Sequence, residues 1–194
     1  MPPRSYPSRV PIEIEKKYRL TTKQREEVLL HLPKIGAKRK GEDFEENTLY
    51  IGGALDQGRS VLRLRRLNKD SSAILTYKQR FPVRSDIKHQ REDETRVDDP
   101  DAMELILDAL GFTPGLIYEK RRETWSLGKT EIVIDELPFG LFMEIEGAEQ
   151  DIRDIESKLA IKRLRTEPAT YPQLTLKHGK NREGMIEARF SKRK

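Results

Sequence analysis

The chain has 194 residues, 37% charged and 35% hydrophobic, with 38 Lys and Arg set against 33 Asp and Glu for a formal charge of +5. It has no cysteine, which excludes disulfides, thiolate metal sites and a cysteine nucleophile, and its three histidines, His31, His89 and His178, lack the spacing of a zinc site. No apolar run reaches membrane-spanning length, MPPRSYPSRV has no apolar signal core, and much of the positive excess lies in KHGKNREGMIEARFSKRK; the expectation is a soluble cytoplasmic protein whose partners include no specific nucleic acid and no membrane.

Residues 1–10 read as an irregular lead-in, 11–177 as one domain and 178–194 as a basic tail, either disordered or helical. PIEIEKKYRL is the first predicted strand, with Glu13, Glu15 and Lys17 on one face and Ile12 and Ile14 on the other. TTKQREEVLLHL follows as a helix capped by Thr21 or Thr22, with Val28, Leu29 and Leu32 as its apolar stripe. DFEENTLYI is a strand and GGALDQGR a loop; SVLRLRRL then sets Leu62 and Leu64 against Arg63 and Arg65, and SAILTYKQR puts Thr76, Lys78 and Arg80 on one face. HQREDETRV is a polar strand with Glu92, Glu94 and Arg96 in phase; a slip of one residue would present Asp93 instead.

DDPDAMELILDALGF is a helix capped by Asp98 or Asp99, with Pro100 in its first turn and Gly111 as its stop. GLIYEKRRETWSL and KTEIVIDEL form a hairpin about Gly128 and Lys129; both faces of YEKRRE are polar, so its phase stays open. GLFMEIEG sets Leu141, Met143 and Ile145 against Phe142, Glu144 and Glu146, EQDIRDIESKLAI is a helix, and TEPATYPQLTLKHG holds a short one in which Tyr171 is read as packing. The order of elements gives an α+β fold with a largely antiparallel sheet.

Strand after strand carries an apolar face opposite one bearing charges of both signs. An open sheet with one wet face shows the same alternation. These faces, however, are nearly pure carboxylate and ammonium or guanidinium, and the helices need an apolar surface to cover. A sheet curled with its charges inward satisfies both, and a barrel of about eight strands encloses room for side chains or one small ligand. Buried charges must be paired or bound. Carboxylates suit a hard divalent cation and Arg and Lys suit phosphate oxygens, so the combination points to a metal–polyphosphate site.

EIEKK carries an E-x-E-x-K pattern, followed in order by EENTLY, LRLRR, LTYKQR, DDPDAMELILDALGF, YEKRRETW, IVIDELPFG, FMEIEG and TYPQL. This series resembles the CYTH family of triphosphate tunnel metalloenzymes, its LTYK, YEKRRE and FMEIEG most like the class IV adenylate cyclase subgroup. The resemblance implies a closed eight-stranded antiparallel β-barrel with helices packed outside, acting as a monomer or homodimer. It implies Mg2+ or Mn2+ on Glu13, Glu15, Glu92, Glu94, Glu144 and Glu146, and triphosphate on Lys17, Arg63, Arg65, Lys78, Lys120 and Arg122. Lys17, Lys120 and Asp135 would be catalytic. The family's usual acid near the tyrosine of the second strand has no clear match, since Asn47 and Thr48 stand there. The activity implied is cyclisation of ATP to cyclic AMP and pyrophosphate, with triphosphate hydrolysis or non-catalytic binding of polyphosphate or nucleotide as alternatives.

Overall fold

The computed structural model describes residues 12–67, 72–81, 87–161 and 163–191. The lead-in expected over 1–10 lies outside these residues. Eight strands close into a ring: β1 (Ile12–Leu20), β2 (Lys38–Gly52), β3 (Ser60–Leu67), β4 (Ala73–Arg80), β5 (Lys88–Val97), β6 (Phe112–Leu127), β7 (Thr130–Leu137) and β8 (Gly140–Glu146). Around the ring they run β6–β2–β3–β4–β5–β1–β8–β7, and pairing of β7 back onto β6 shuts it. Every pairing within the ring is antiparallel. A closed ring leaves no unpaired edge, and each strand's period of two assigns its side chains alternately to interior and exterior.

The exterior is apolar and helices cover it. Helices α1 (Thr22–His31) and α3 (Glu149–Leu159) bury Val28, Leu32, Ile152, Ile155 and Leu159 against Tyr18, Leu20, Ile132, Ile134, Met143 and Ile145. Thr21 starts α1 with a reciprocal cap: its hydroxyl accepts the Gln24 backbone N–H at 3.2 Å, and Gln24 Oε1 accepts the Thr21 N–H at 3.0 Å. Helix α2 (Pro100–Ala109) lays Leu107 on Tyr50, Leu64, Ala73 and Val97. Asp99 caps it, accepting the Ala102 N–H at 2.9 Å. At its far end Gly111 turns with φ +82°, and its carbonyl oxygen would lie 2.4 Å from any Cβ at Gly52, so the approach of β2 requires glycine there. Among the described residues no helix is long and apolar enough to cross a membrane.

Helix α4 (Tyr171–His178) differs from the others. Its buried Tyr171 and Leu174 pack with Leu49, Leu116, Tyr118, Leu137 and Phe142, a group that includes the inward-facing Leu49, Leu137 and Phe142, and so occupies one end of the ring. The preceding segment pairs with β1 through β9 (Arg165–Thr166).

One expectation is corrected here. The stretch KNREGMIEARFSKRK, read as disordered or helical, forms β10 (Lys180–Arg182) and β11 (Met185–Ala188), a hairpin turning at Glu183 and Gly184 with φ 51° and 90°. Strand β11 runs parallel to β6, pairing Ile186, Glu187 and Ala188 with Leu116, Ile117 and Tyr118, a part of β6 that β7 does not reach. Its alternation was masked by charge, which ion pairs absorb: Arg189 bonds Glu46 and Glu119 across the seam, and the Phe190 backbone N–H donates to Glu119 at 2.7 Å. Removing residues 180–194 should uncover this seam and cost about 2–3 kcal/mol, lowering the melting midpoint by roughly 5–10 °C. An unchanged midpoint in a calorimetric melt would deny the hairpin that role.

Candidate functional site

The ring's register brings the inward charges into contact across neighbouring strands. Lys17 stands opposite Glu144 and Glu15 opposite Glu146, between β1 and β8. Lys78 pairs with Glu92 and Thr76 with Glu94, between β4 and β5. Arg122 faces Asp135, between β6 and β7, which settles the phase of YEKRRE: Lys120 and Arg122 point in. The result is a cavity of about 170 Å³. Glu13, Glu15, Lys17, Arg63, Arg65, Lys78, Glu92, Glu94, Lys120, Arg122, Glu144 and Glu146 all line it. Asp135 lies beneath that lining, 0% exposed, bonded to Arg122. Asp93 points away and pairs with Arg91 at 2.6 Å, so β5 keeps the Glu92 and Glu94 phase.

The deepest charges form one connected group. Arg122 grips Asp135 with two bonds, Nε to Oδ1 at 2.8 Å and Nη2 to Oδ2 at 2.7 Å, and its Nη2 also reaches Glu144 at 2.8 Å. Lys120, 1% exposed, lies 3.1 Å from Glu45 and 3.5 Å from Asp135. Lys17 lies 3.2 Å from Glu144 and donates to the Ala169 carbonyl at 3.2 Å. Burial works against the Arg122 charge, but Asp135, Glu45 and Glu144 together raise its pKa well above the usual value. Lys120 goes the other way: burial and the neighbouring Arg122 pull it down to about 8, despite Asp135 and Glu45.

A second group lies on β3, β4 and β5. Arg63 Nη2 donates to Thr76 at 3.2 Å and Glu94 at 3.4 Å, yet its Nε is buried with no hydrogen-bond partner. Arg65 Nε is likewise buried without a hydrogen bond, and its ion pair with Glu45 Oε2 is long, at 3.6 Å. Unsatisfied buried guanidinium donors are costly and point to an anion that completes them. The third group is Glu13 with Lys78 at 2.7 Å and Gln90 at 2.6 Å, and Glu15 with Lys88 at 3.1 Å. Burial works against the Glu13 charge, but Lys78, Glu92 and Gln90 together overcome it, lowering the pKa to about 2; beside it burial and the Glu13 hydrogen bond push Glu92 up to about 8.

The acids meet the chemistry a hard cation requires. They are oxygen donors, and Glu13 and Glu92 crowd onto the same Lys78 ammonium, at 2.7 and 3.0 Å, a like-charge crowding that a divalent ion would relieve. Among the described residues, no three His, Cys, Asp or Glu side chains converge on one point; the carboxylates are drawn instead to the surrounding bases.

Residue-by-residue reading missed four participants. Glu45, 2% exposed, contacts Lys120, Arg65 and Arg122, filling the acidic position left unassigned on the second strand. Two steps back along β2 from Asn47 would have found it. Lys88 and Gln90 continue the period of Glu92 and Glu94 in the same way. Tyr171, read as packing, does pack, and its hydroxyl also donates to Asp135 at 2.7 Å.

The pKa values of Glu13, Glu45 and Glu144 are all held below the ordinary 4.5. The folded form therefore binds their protons more weakly than the unfolded chain, so the stability they give is present above about pH 4.5 and is lost as pH falls below it. Replacing Glu45 by Gln leaves three cations without their shared acid, at a cost of about 3–5 kcal/mol at neutral pH. Melting curves from pH 7 to pH 3 should show the wild type falling steeply at the acid end and Glu45→Gln starting lower and falling less. Parallel curves would reject the assignment.

Comparison with known proteins agrees with this geometry. The CYTH domain model matches residues 11–173. No curated protein matches. Among solved structures, the PH1012 protein of Pyrococcus horikoshii OT3 superposes with TM-score 0.71 at 26% identity, over 82% of this chain and 96% of that one. A proposed adenylate cyclase of Vibrio parahaemolyticus gives 0.66 at 20% identity, over 86% and 98%. A proposed adenylyl cyclase of Hippeastrum, described as having a dominant triphosphatase activity, gives 0.64 at 17% identity, over 82% and 92%. The last two likenesses speak for the fold alone. With the family model matched over most of its length, on a closed eight-stranded tunnel, this chain belongs to the CYTH domain family.

Proposed function

We propose that the protein is a divalent-metal-dependent enzyme that binds a triphosphate in the tunnel and hydrolyses it. The observation that carries this reading is the pair of buried donors Arg63 Nε and Arg65 Nε, neither of which has a hydrogen bond, set in a cavity also lined by Lys17, Lys78, Lys120 and Arg122. A polyanion with several oxygens per phosphorus completes such donors and neutralises such bases. Glu13, Glu15, Glu92, Glu94, Glu144 and Glu146 would hold Mg2+ or Mn2+, which when bound supplies charge neutralisation on the phosphate oxygens.

Arg63, Arg65 and Lys78 on one wall and Lys17, Lys120 and Arg122 on the other hold the phosphates between them. Asp135 keeps Arg122 fixed, so its guanidinium meets developing charge without reorganising. Water attacks the terminal phosphorus and releases a proton to solvent, the bridging P–O bond breaks, and the Lys120 ammonium stabilises the departing oxygen. Both rings lining the cavity stand beside its bases: Tyr118 interacts with Arg63, and Tyr171 lies under Lys17. The described lining thus offers charge for phosphate more than a ring face for a base, which favours inorganic tripolyphosphate. A second reading, favoured by LTYK, YEKRRE and FMEIEG, is cyclisation of ATP, in which the ribose 3′-hydroxyl attacks the α-phosphorus and pyrophosphate leaves. We place the activity in the cytoplasm, as the absence of cysteine suggests.

Incubation with tripolyphosphate or ATP plus Mg2+ or Mn2+ distinguishes these readings. Orthophosphate release from tripolyphosphate is the expected outcome; cyclic AMP and pyrophosphate from ATP would replace hydrolysis by cyclisation, and metal-dependent binding without turnover would leave a non-catalytic binder. The double variant Glu15→Gln with Glu144→Gln should lose metal binding by calorimetry and at least about a hundredfold in turnover. Full activity in it would reject the ligand assignment.

A further inference from the structure

Tyr171 is the first residue of α4 and is 6% exposed, wedged edge-on to Phe142 with ring centroids 5.4 Å apart. Two contacts on it are not needed for packing. Its hydroxyl donates to Asp135 Oδ2 at 2.7 Å, and its ring face lies 3.9 Å from Lys17 Nζ and 5.3 Å from Lys120 Nζ. We propose that Tyr171 is a positioning residue of the triphosphate site, presenting Lys17, Lys120 and Arg122 as one rigid set of cations. The inference rests on the reading of the cavity as a triphosphate site.

Tyr171 acts through two side chains, Asp135 and Lys17. Asp135 accepts two bonds from Arg122 and one from Tyr171, with Lys120 at 3.5 Å, so both of its oxygens are tied and the carboxylate cannot turn. Without the tyrosine hydroxyl it is held from the Arg122 side alone. Lys17 has a flexible stem that loses much rotamer freedom when fixed. The aromatic face below it, the Ala169 carbonyl at 3.2 Å and Glu144 at 3.2 Å restrict its ammonium to one place. Ala169 and Tyr171 flank Thr170, the residue that caps α4, so a single helix start fixes both contacts. Charge set in advance against a reacting phosphate lowers the barrier, whereas total charge governs binding.

The test is steady-state hydrolysis of tripolyphosphate by the full chain with Mn2+, comparing wild type, Tyr171→Phe and Leu174→Ala, with a thermal melt of each. Leu174 docks α4 in the same apolar group but does not line the cavity, so it controls for loosening of the helix. For Tyr171→Phe, kcat should fall about tenfold or more while KM stays within about threefold, because the bases remain. Leu174→Ala should melt lower with kcat close to wild type at temperatures where it stays folded. Equal kcat in wild type and Tyr171→Phe overturns the inference, and so does a kcat loss in Leu174→Ala matching that of Tyr171→Phe. A wild type that turns over no triphosphate overturns the reading of the site, and this role falls with it; a wild type active on ATP alone moves the same comparison to ATP.

Discussion

The interior depends on the bond between Arg122 and Asp135. Asp135 is fully buried, and a carboxylate in that position is stable only if its oxygens are saturated; Arg122 supplies two donors and Tyr171 a third. Glu144 and Glu45 then hold Arg122 from other strands, and through them Lys17 and Lys120 are fixed. Charges from β1, β2, β6, β7 and β8 thus form one network, and any rotation of one strand about its axis would break it.

The network is not what makes the fold stable. Buried ion pairs roughly offset their own desolvation, and hydrophobic replacements of similar shape often stabilise more. Stability comes from the outside, where α1, α2 and α3 bury the apolar halves of the same strands. The protein therefore divides the two tasks between opposite faces of each strand, and α4 alone contributes to both, with Leu174 in the apolar group and Tyr171 on the ions. A group of cations that nearby acids hold in place can stay charged and ordered before a polyanion arrives, at the cost of competing with it.

Much of this was legible because the period of two is strict. Arg63 and Arg65 against Leu62 and Leu64, and Glu144 and Glu146 against Met143 and Ile145, read directly as two faces, and the structure divides them so. Direction was less legible: alternation says that charges share a face, not that the face is enclosed, and enclosure appears only in the long-range β1–β8 and β2–β6 pairings. Glu45 was hidden because the run Glu42, Asp43, Glu45, Glu46 offers acids in both phases, and only the pairing of Glu45 with Lys120 selects one. Tyr171 was hidden because one side chain does two jobs and its partner, Asp135, is remote in sequence. The C-terminal hairpin was hidden by its basic composition, whose ion-pair partners Glu46 and Glu119 lie on other strands.

Strand β1 opens the described chain yet sits in the ring between β5 and β8. It brings Glu13, Glu15 and Lys17 to partners on β4, β5 and β8 and to the segment before α4, so its contacts span nearly the whole sequence. Contacts of such separation form slowly, since the chain entropy of looping is spent before they are rewarded. Without β1 the ring would be a gutter open along one side, with its ionic lining in reach of water. A chain that seats β1 last would keep acids and bases wet until their partners arrive, so that no charge is dried before it is paired.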